Sequence, residues 1–249
     1  VFLLELNESK ISVSKSVADE MDRLYSEATL HSCLPLLQNL NEDLKLLYHN
    51  CRSLHLHIND MKLEKNLISA DIIAIAESRL KPSDDATCYE LQGNSTFRFD
   101  DEKYISGRPY HGIVIYSKIP FQNIRRLHIM ATETVLCHII HRERILQLVF
   151  FYCSPQKASQ GYLCQYLQNL FELLGTEHHF VIMGDANVDF FTQTCLSEFF
   201  IDHKVSQIVH SVTSDYDSCL DHIYTNMMCP SQISSATLES YYSDHKPIV

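Results

Sequence analysis

Tryptophan is absent from the 249 residues, so any flat stacking surface must come from Tyr, Phe or His. Glycine (6) and proline (7) are sparse, and no repeat or low-complexity stretch occurs. The nine cysteines, at 33, 51, 88, 137, 153, 164, 195, 219 and 229, contain no C-x-x-C pair. Their odd number and scatter argue against a zinc site and a disulfide framework, and point to buried reduced thiols of an intracellular protein. No stretch approaches the roughly 20 apolar residues of a membrane span. The opening Val1-Phe2-Leu3-Leu4-Glu5 lacks both Met and a signal-peptide pattern, so the chain reads as a piece of a longer polypeptide.

Positive charge is also scarce. Lys plus Arg number 20 against 31 Asp plus Glu, a formal net charge of −11. This argues against a module that coats nucleic acid through backbone charge alone. It leaves room for an enzyme that keeps carboxylates for a metal and has a local basic groove. Basic residues bunch from Arg125 to Arg144 (Arg125, Arg126, Arg142, Arg144, with His128, His138 and His141). They predict either a solvated pair of strands or such a groove.

What is plentiful is apolar material for a core, 45% of the residues. Leu44–His49 and Asp71–Ala76 read as short buried strands, with a helix carrying Leu54, Ile58, Met61 and Leu63 between them. Asn50 and Glu77 follow these strands, and in α/β folds such carboxyl ends share one rim. A short strand is expected around Phe97 and Phe99, beyond which Gly112–Ser117, Leu127–Met130, Val135–Ile140 and Ile145–Tyr152 suggest an antiparallel meander. Tyr162, Tyr166, Leu167, Leu170 and Leu173 mark a helical face. Phe180–Met183, Leu220–Tyr224 and Ala236–Glu239 complete the expected strands, and Ile248 and Val249 are expected in the core. Residues 1–43 do not join this pattern, so a boundary is placed there, with the main domain at 44–249.

Polar residues punctuate the strands: Asn50, Glu77, Tyr152, Asp185 with Asn187, and Asp244 with His245, while Asp221 sits inside the last strand-like run. Each alone is ordinarily structural: an Asp caps a helix, a Tyr lines a rim, a Glu is solvated. Together they suit phosphate-ester chemistry. That chemistry needs a general base for water, positive charge for the developing anion and an oriented proton donor. Glu77 is the natural first ligand for a hard cation, which needs few carboxylates. Asn can hold phosphate oxygens without adding negative charge, and a His paired with a buried Asp is oriented and made more basic.

The motifs Asn50-x-Arg52-Ser53-Leu54, Glu77-Ser78-Arg79-Leu80, Gly184-Asp185-Ala186-Asn187, Leu220-Asp221-His222 and Ser243-Asp244-His245-x-Pro247 carry a specific resemblance. In type and order they resemble the endonuclease/exonuclease/phosphatase superfamily, over residues 44–249. The resemblance implies a four-layer α-β-β-α sandwich like that of deoxyribonuclease I, with two packed mixed sheets flanked by helices. It implies Mg²⁺ or Mn²⁺ held by Glu77, Asn50 and Asp244. It implies Asp185 as acid/base, His245 at the scissile phosphate or as base, Asp221 orienting His245, and Tyr152 and Asn187 at the phosphate. Asn50 and Arg52 join Tyr152 and Asn187 as substrate-binding residues. The expected substrate is DNA, cut by an endonuclease; a phosphatase or RNA deadenylase on the same scaffold, and a catalytically silent remnant, are the alternatives. Arg52 replaces the Asp of abasic endonucleases, which points to mobile-element enzymes. The family's glycine pair is reduced to His111-Gly112.

Residues Phe2–Leu6, Lys10–Val13 and Glu20–Leu24 resemble the closing stretch of Pif-family DNA helicases. A helicase end running into such an endonuclease is similar to Helentron-type (Helitron-like) transposon proteins, which implies a nuclear protein and a larger helicase-containing polypeptide. No G-x-x-x-x-G-K-[ST] occurs, so this piece holds no ATP-hydrolysing loop of that kind.

Overall fold

A computed structural model describes residues 43–101, 107–175, 177–192, 195–227 and 233–249. The expected appendage at 1–43 lies outside the described residues except for Asp43.

The first sheet has the order β1 (Leu46–Asn50), β2 (Ile72–Ala76), β4 (Ile113–Ser117), β3 (Ser95–Phe99). The second runs β5 (Asn123–Ile129), β6 (Thr132–His141), β7 (Arg144–Tyr152), β8 (His179–Asp185), β10 (Asp221–Thr225), β9 (Ser206–Gln207). β1 and β2 are parallel and joined through α1 (Leu54–Leu63) and α2 (Lys65–Ser69). β7 and β8 are parallel and joined through α3 (Gln160–Leu174); α4 (Cys195–His203) follows β8. All other pairings are antiparallel, so both sheets are mixed.

Period-two alternation builds the layers. Tyr48, Ala74, Ile115, Val135, Leu148, Phe150 and Met183 form a core between the sheets. Leu47, Ile73, Ile75 and Val114 turn the other way, against Leu54, Ile58 and Met61 of α1. Val149, Phe151 and Ile182 meet Leu163, Tyr166, Leu167 and Leu170 of α3 and Phe200 of α4. The result is the four-layer sandwich expected. Helix α3 starts where Ser159 Oγ accepts the Tyr162 N–H at 3.2 Å, and stops at Gly175, whose φ of +68 suits glycine. Its buried stripe, spaced by three and four residues, contributes roughly 1.5–3 kcal/mol per large side chain.

Five expectations change. Leu173 is 47% exposed and lies off the buried stripe of α3, where Leu174 takes the place expected for it. Gly112–Ser117 does not join the meander: β4 pairs with β2 and β3 in the first sheet, and only β5–β6–β7 form a meander. Leu63 is 77% exposed, because α1 ends there and the chain turns away into α2. Ala236–Glu239 does not become a strand; Thr237 makes an isolated bridge to Ile248. Of the last two residues Ile248 is fully buried but Val249 only partly so. Ile248 also exchanges both backbone bonds with Tyr48 at 2.9 Å, which ties the final segment to β1. The six described cysteines are unpaired; Cys51, Cys137, Cys153 and Cys219 are buried. Among the described residues no helix is long and apolar enough to cross a membrane.

Candidate active site

Register sets the site. Glu133 on β6 faces Tyr152 on β7, Tyr152 faces Asp185 on β8, and Asp185 faces Asp221 on β10. Directly paired residues point to one face. Here that is the inner face shared with Val135, Met183 and Ile223, so four polar side chains form a row at one end of the inter-sheet core. The first sheet supplies Asn50 at the end of β1 and Glu77 just past β2, as expected from the common rim. Arg52, Glu77, Arg79 and Asn187 all have left-handed backbones, with φ of 56, 47, 55 and 49. This conformation is costly for residues other than Gly and Asn, and clusters at functional sites.

The hydrogen bonds knit both sheets together. Asn50 Nδ2 donates to Glu77 Oε1 at 3.1 Å and to Asp185 Oδ2 at 2.9 Å, while its Oδ1 accepts the Arg52 N–H at 3.1 Å. Tyr152 donates its hydroxyl to Glu77 Oε1 at 2.9 Å, and Arg79 donates to Glu77 Oε2 at 2.7 Å. Burial would raise the Glu77 pKa, but the bonds from Arg79, Asn50 and Tyr152 outweigh it and hold the carboxyl below its ordinary range. Asn187 N–H donates to Asp185 Oδ1 at 2.8 Å, and the Asn187 side chain donates to the Cys153 carbonyl at 2.9 Å.

His245 lies on the closing segment. Its Nδ1 is 2.9 Å from Asp221 Oδ2, and its Nε2 is 3.8 Å from Asp185 Oδ2. Burial would lower the His245 pKa; the charges of Asp221 and Asp185 outweigh it and lift it to about 10. Asp185 is fully buried, and burial pushes its pKa up against the opposing charge of His245. The segment is fixed by Ser243, whose hydroxyl donates to the Asn50 carbonyl at 2.7 Å and accepts the His245 N–H at 3.2 Å. Asp244 Oδ2 pairs with Arg52 at 2.8 Å, while its Oδ1 is buried without a hydrogen-bond partner among the described residues.

All the expected site residues therefore converge: Asn50, Arg52, Glu77, Tyr152, Asp185, Asn187, Asp221, Asp244 and His245. Two cation positions merit comparison. Asp185, Asp221 and His245 bring ligand atoms within 4.8 Å of one another. However, Asp221 already holds the imidazole, and an imidazolium has no lone pair for a metal. The Glu77 side fits better: its carboxylate is held by Asn50, and Arg52, two residues on, pairs with Asp244. Hard oxygen donors of this kind suit Mg²⁺ or Mn²⁺.

Sequence reasoning missed three contributors. Arg79 neutralises Glu77, although it stands in a quoted motif. Thr213 Oγ1 accepts both the Leu220 and Asp221 N–H groups, fixing the start of β10. Glu133 accepts the Gly112 N–H at 2.9 Å, and the Gly112 carbonyl takes the Ser78 N–H at 3.0 Å, so Glu133 braces the loop that carries Glu77. Only its alternation with Val135, Cys137 and Ile139 could have placed Glu133 on the inner face. The basic run is split in two: His128 faces Glu133 across the ladder, which puts Arg125, Arg126 and His128 toward the site end of the second sheet. His141 and Arg144 close the hairpin at the far end of β6 and β7 from the site. That is roughly 25 Å away at about 3.3 Å per residue. Arg142 there pairs with Asp43.

A two-sheet sandwich with carboxylates, Asn and an Asp–His pair at one end defines a phosphoesterase-type scaffold. The chain belongs to the endonuclease/exonuclease/phosphatase family, whose model matches residues 39–245. Among solved structures, the mannosyl-6-phosphatase of Bacteroides thetaiotaomicron is 14% identical with a TM-score of 0.63, covering 83% of this chain and 98% of that one. The human Nocturnin catalytic domain is 14% identical with a TM-score of 0.61, covering 84% and 92%. The 3'-5' exonuclease of Neisseria meningitidis is 16% identical with a TM-score of 0.58, covering 82% and 97%. At these identities the likeness concerns the fold. No curated protein matches the sequence.

Proposed function

We propose that this chain is a divalent-metal-dependent phosphodiesterase that nicks DNA for a mobile element in the nucleus. The observation that carries the chemistry is the buried Asp185 carboxylate, fixed by Asn50 and facing the His245–Asp221 pair. The choice of DNA rests on the motif resemblance to mobile-element endonucleases, and the mobile-element setting on the helicase-like residues at 1–43.

Glu77, Asn50 and Asp244 would hold Mg²⁺ or Mn²⁺. When bound, the metal supplies positive charge to the phosphate oxygens. Asp185 takes a proton from water as the water oxygen bonds to phosphorus. The bond from phosphorus to the departing sugar oxygen breaks, and His245 gives that oxygen its Nε2 proton. Asp185 then returns the proton it holds to His245, closing the cycle. Asp221 keeps the imidazole oriented throughout. Tyr152 stays un-ionised, because burial and the neighbouring Glu77 and Asp185 charges raise its pKa.

The test is nicking of supercoiled plasmid with Mg²⁺ and with chelator, for the parent and for Glu77→Ala, Asp185→Asn and His245→Ala. The expected result is metal-dependent nicking that falls roughly 100-fold or more in each variant. Nicking that persists undiminished in Glu77→Ala would sink the metal assignment. Turnover of phosphomonoesters or polyadenylate but not DNA transfers the assignment to a phosphatase or deadenylase. A folded chain inert towards all of them indicates a silent remnant.

A further inference from the structure

Tyr110, Phe191, Tyr216 and Tyr241 are the exposed Tyr and Phe rings among the described residues. Two of them belong to the segments that build the site. Tyr110 is 72% exposed, and the Arg79 guanidinium lies 5.9 Å from its ring centroid. The same guanidinium binds Glu77. The next residue, His111, takes the Arg79 N–H on its carbonyl at 3.0 Å, and its ring lies 5.3 Å from that of Tyr152. Tyr110 is thereby tied to the Glu77 edge.

Tyr216 is 74% exposed. Its N–H is bonded to Ser214 Oγ, and Ser214 bridges to His245. Its other neighbour, Asp215, donates its N–H to the Asp244 carbonyl at 2.9 Å. Tyr216 is thereby tied to the His245–Asp221 end of the polar row, two strands away from Tyr152.

The Glu77 end thus pairs its uncovered ring with a guanidinium, while Tyr216 is linked to Arg52 through Asp215 and Asp244. A single exposed ring needs no explanation. Two at separate ends of one row of phosphate-handling residues offer flat faces to the bases on either side of it. Elsewhere the surface argues against a long duplex track. The chain carries a net charge of −11, and the basic run is split, with Arg142 and Arg144 at the far end of the sheet and only Arg125, Arg126 and His128 toward the site end. Bases in a duplex are already paired and stacked, and offer no free face to a protein ring.

We propose that the site takes an unpaired polynucleotide segment, with the nucleobases on either side of the scissile phosphate stacked on Tyr110 and Tyr216. The proposal rests on the phosphodiesterase reading of the same centre and specifies its substrate as single-stranded, looped or frayed.

The experiment is fluorescence anisotropy of a labelled single-stranded oligonucleotide and of the matching duplex, with the full chain carrying Asp185→Asn so that binding is read without turnover. Tyr110→Ala, Tyr216→Ala and the two Tyr→Phe substitutions are added to that background. The expected result is tighter binding of the single strand, weakened about tenfold by each Ala substitution and kept by Phe. Equal binding of strand and duplex, or Ala variants that bind like the parent, overturns the proposal. Hydrolysis of bis(p-nitrophenyl) phosphate by the unsubstituted chain tests the phosphodiesterase reading separately. Failure there with tyrosine-dependent strand binding intact would remove the chemistry and leave the stacking platforms standing.

Discussion

His245 Nδ1 and Asp221 Oδ2 meet at 2.9 Å in a buried pair. The proton on His245 is sustained by that carboxylate together with Asp185. Asp221→Asn keeps the shape and removes the charge, so the imidazole loses its proton at a lower pH. Turnover should fall roughly 100-fold or more. Its alkaline limit should also move to lower pH, because an activity that needs imidazolium ends where imidazolium ends. A kcat–pH profile of parent and variant reads both effects; an unmoved alkaline limb would exclude His245 as the proton donor.

Asn50 separates two buried carboxylates by giving one amide hydrogen to each. Asn50→Ala leaves Glu77 and Asp185 with fewer donors, at a cost of about 1–3 kcal/mol. Thermal unfolding should shift down, and Mg²⁺ should restore part of the loss by neutralising Glu77. A variant that melts like the parent with or without Mg²⁺ would show that this bridge contributes little.

Gly184 has no room for a side chain. A Cβ there would lie 2.3 Å from Phe151 Cδ1 and 2.4 Å from the Phe151 carbonyl oxygen. The backbone oxygen cannot rotate away, so Gly184→Ala must push β7 and β8 apart beside Asp185. The expected destabilisation is about 1–3 kcal/mol or more, read by urea denaturation. Unchanged stability would mean the strands separate freely.

Two buried groups give pH effects of opposite sign. His49 is fully buried, neither ring nitrogen has a hydrogen-bond partner among the described residues, and burial lowers its pKa to about 3. The unfolded chain therefore takes up the proton first. The stability His49 supports is complete above about 6.5 and is lost as pH falls towards 3, by at most about 1.4 kcal/mol per pH unit. Glu133 is raised to about 7, chiefly by burial. Its contribution is complete below the ordinary Glu range and is lost as pH rises through about 7. Glu133→Gln keeps an acceptor for Gly112 and should be more stable than the parent at pH 8. His49→Leu should flatten the acid side of the stability curve. Denaturation at several pH values separates the two, and parallel curves for parent and variants would contradict both assignments.

The strand ends were legible in the sequence because short apolar runs broke off at polar residues. Asn50, Glu77, Tyr152 and Asp185 sit at such breaks, Asp221 lies within the last strand-like run, and the structure gathers all five at one end. Local pattern does not encode which sheet a strand joins. That is why Ile113–Ser117 reads as part of a meander, whereas it lies between β2 and β3. Glu133 stands in no motif; its role comes from facing Tyr152 across the ladder, a relation set by register. Likewise Arg142 and Arg144 look adjacent to the site in sequence, but a hairpin carries them to the far end of two long strands.

The bond from Ser243 Oγ to the Asn50 carbonyl spans 193 positions along the chain. A contact of that span closes only after nearly all the intervening residues have been made and folded. While the ribosome is still adding residues before His245, Asn50, Glu77 and Asp185 can assemble, but the proton-donating arm does not yet exist. The nascent polypeptide is therefore expected to be chemically harmless until the segment carrying Ser243 and His245 docks on β1, so activity arrives in one step.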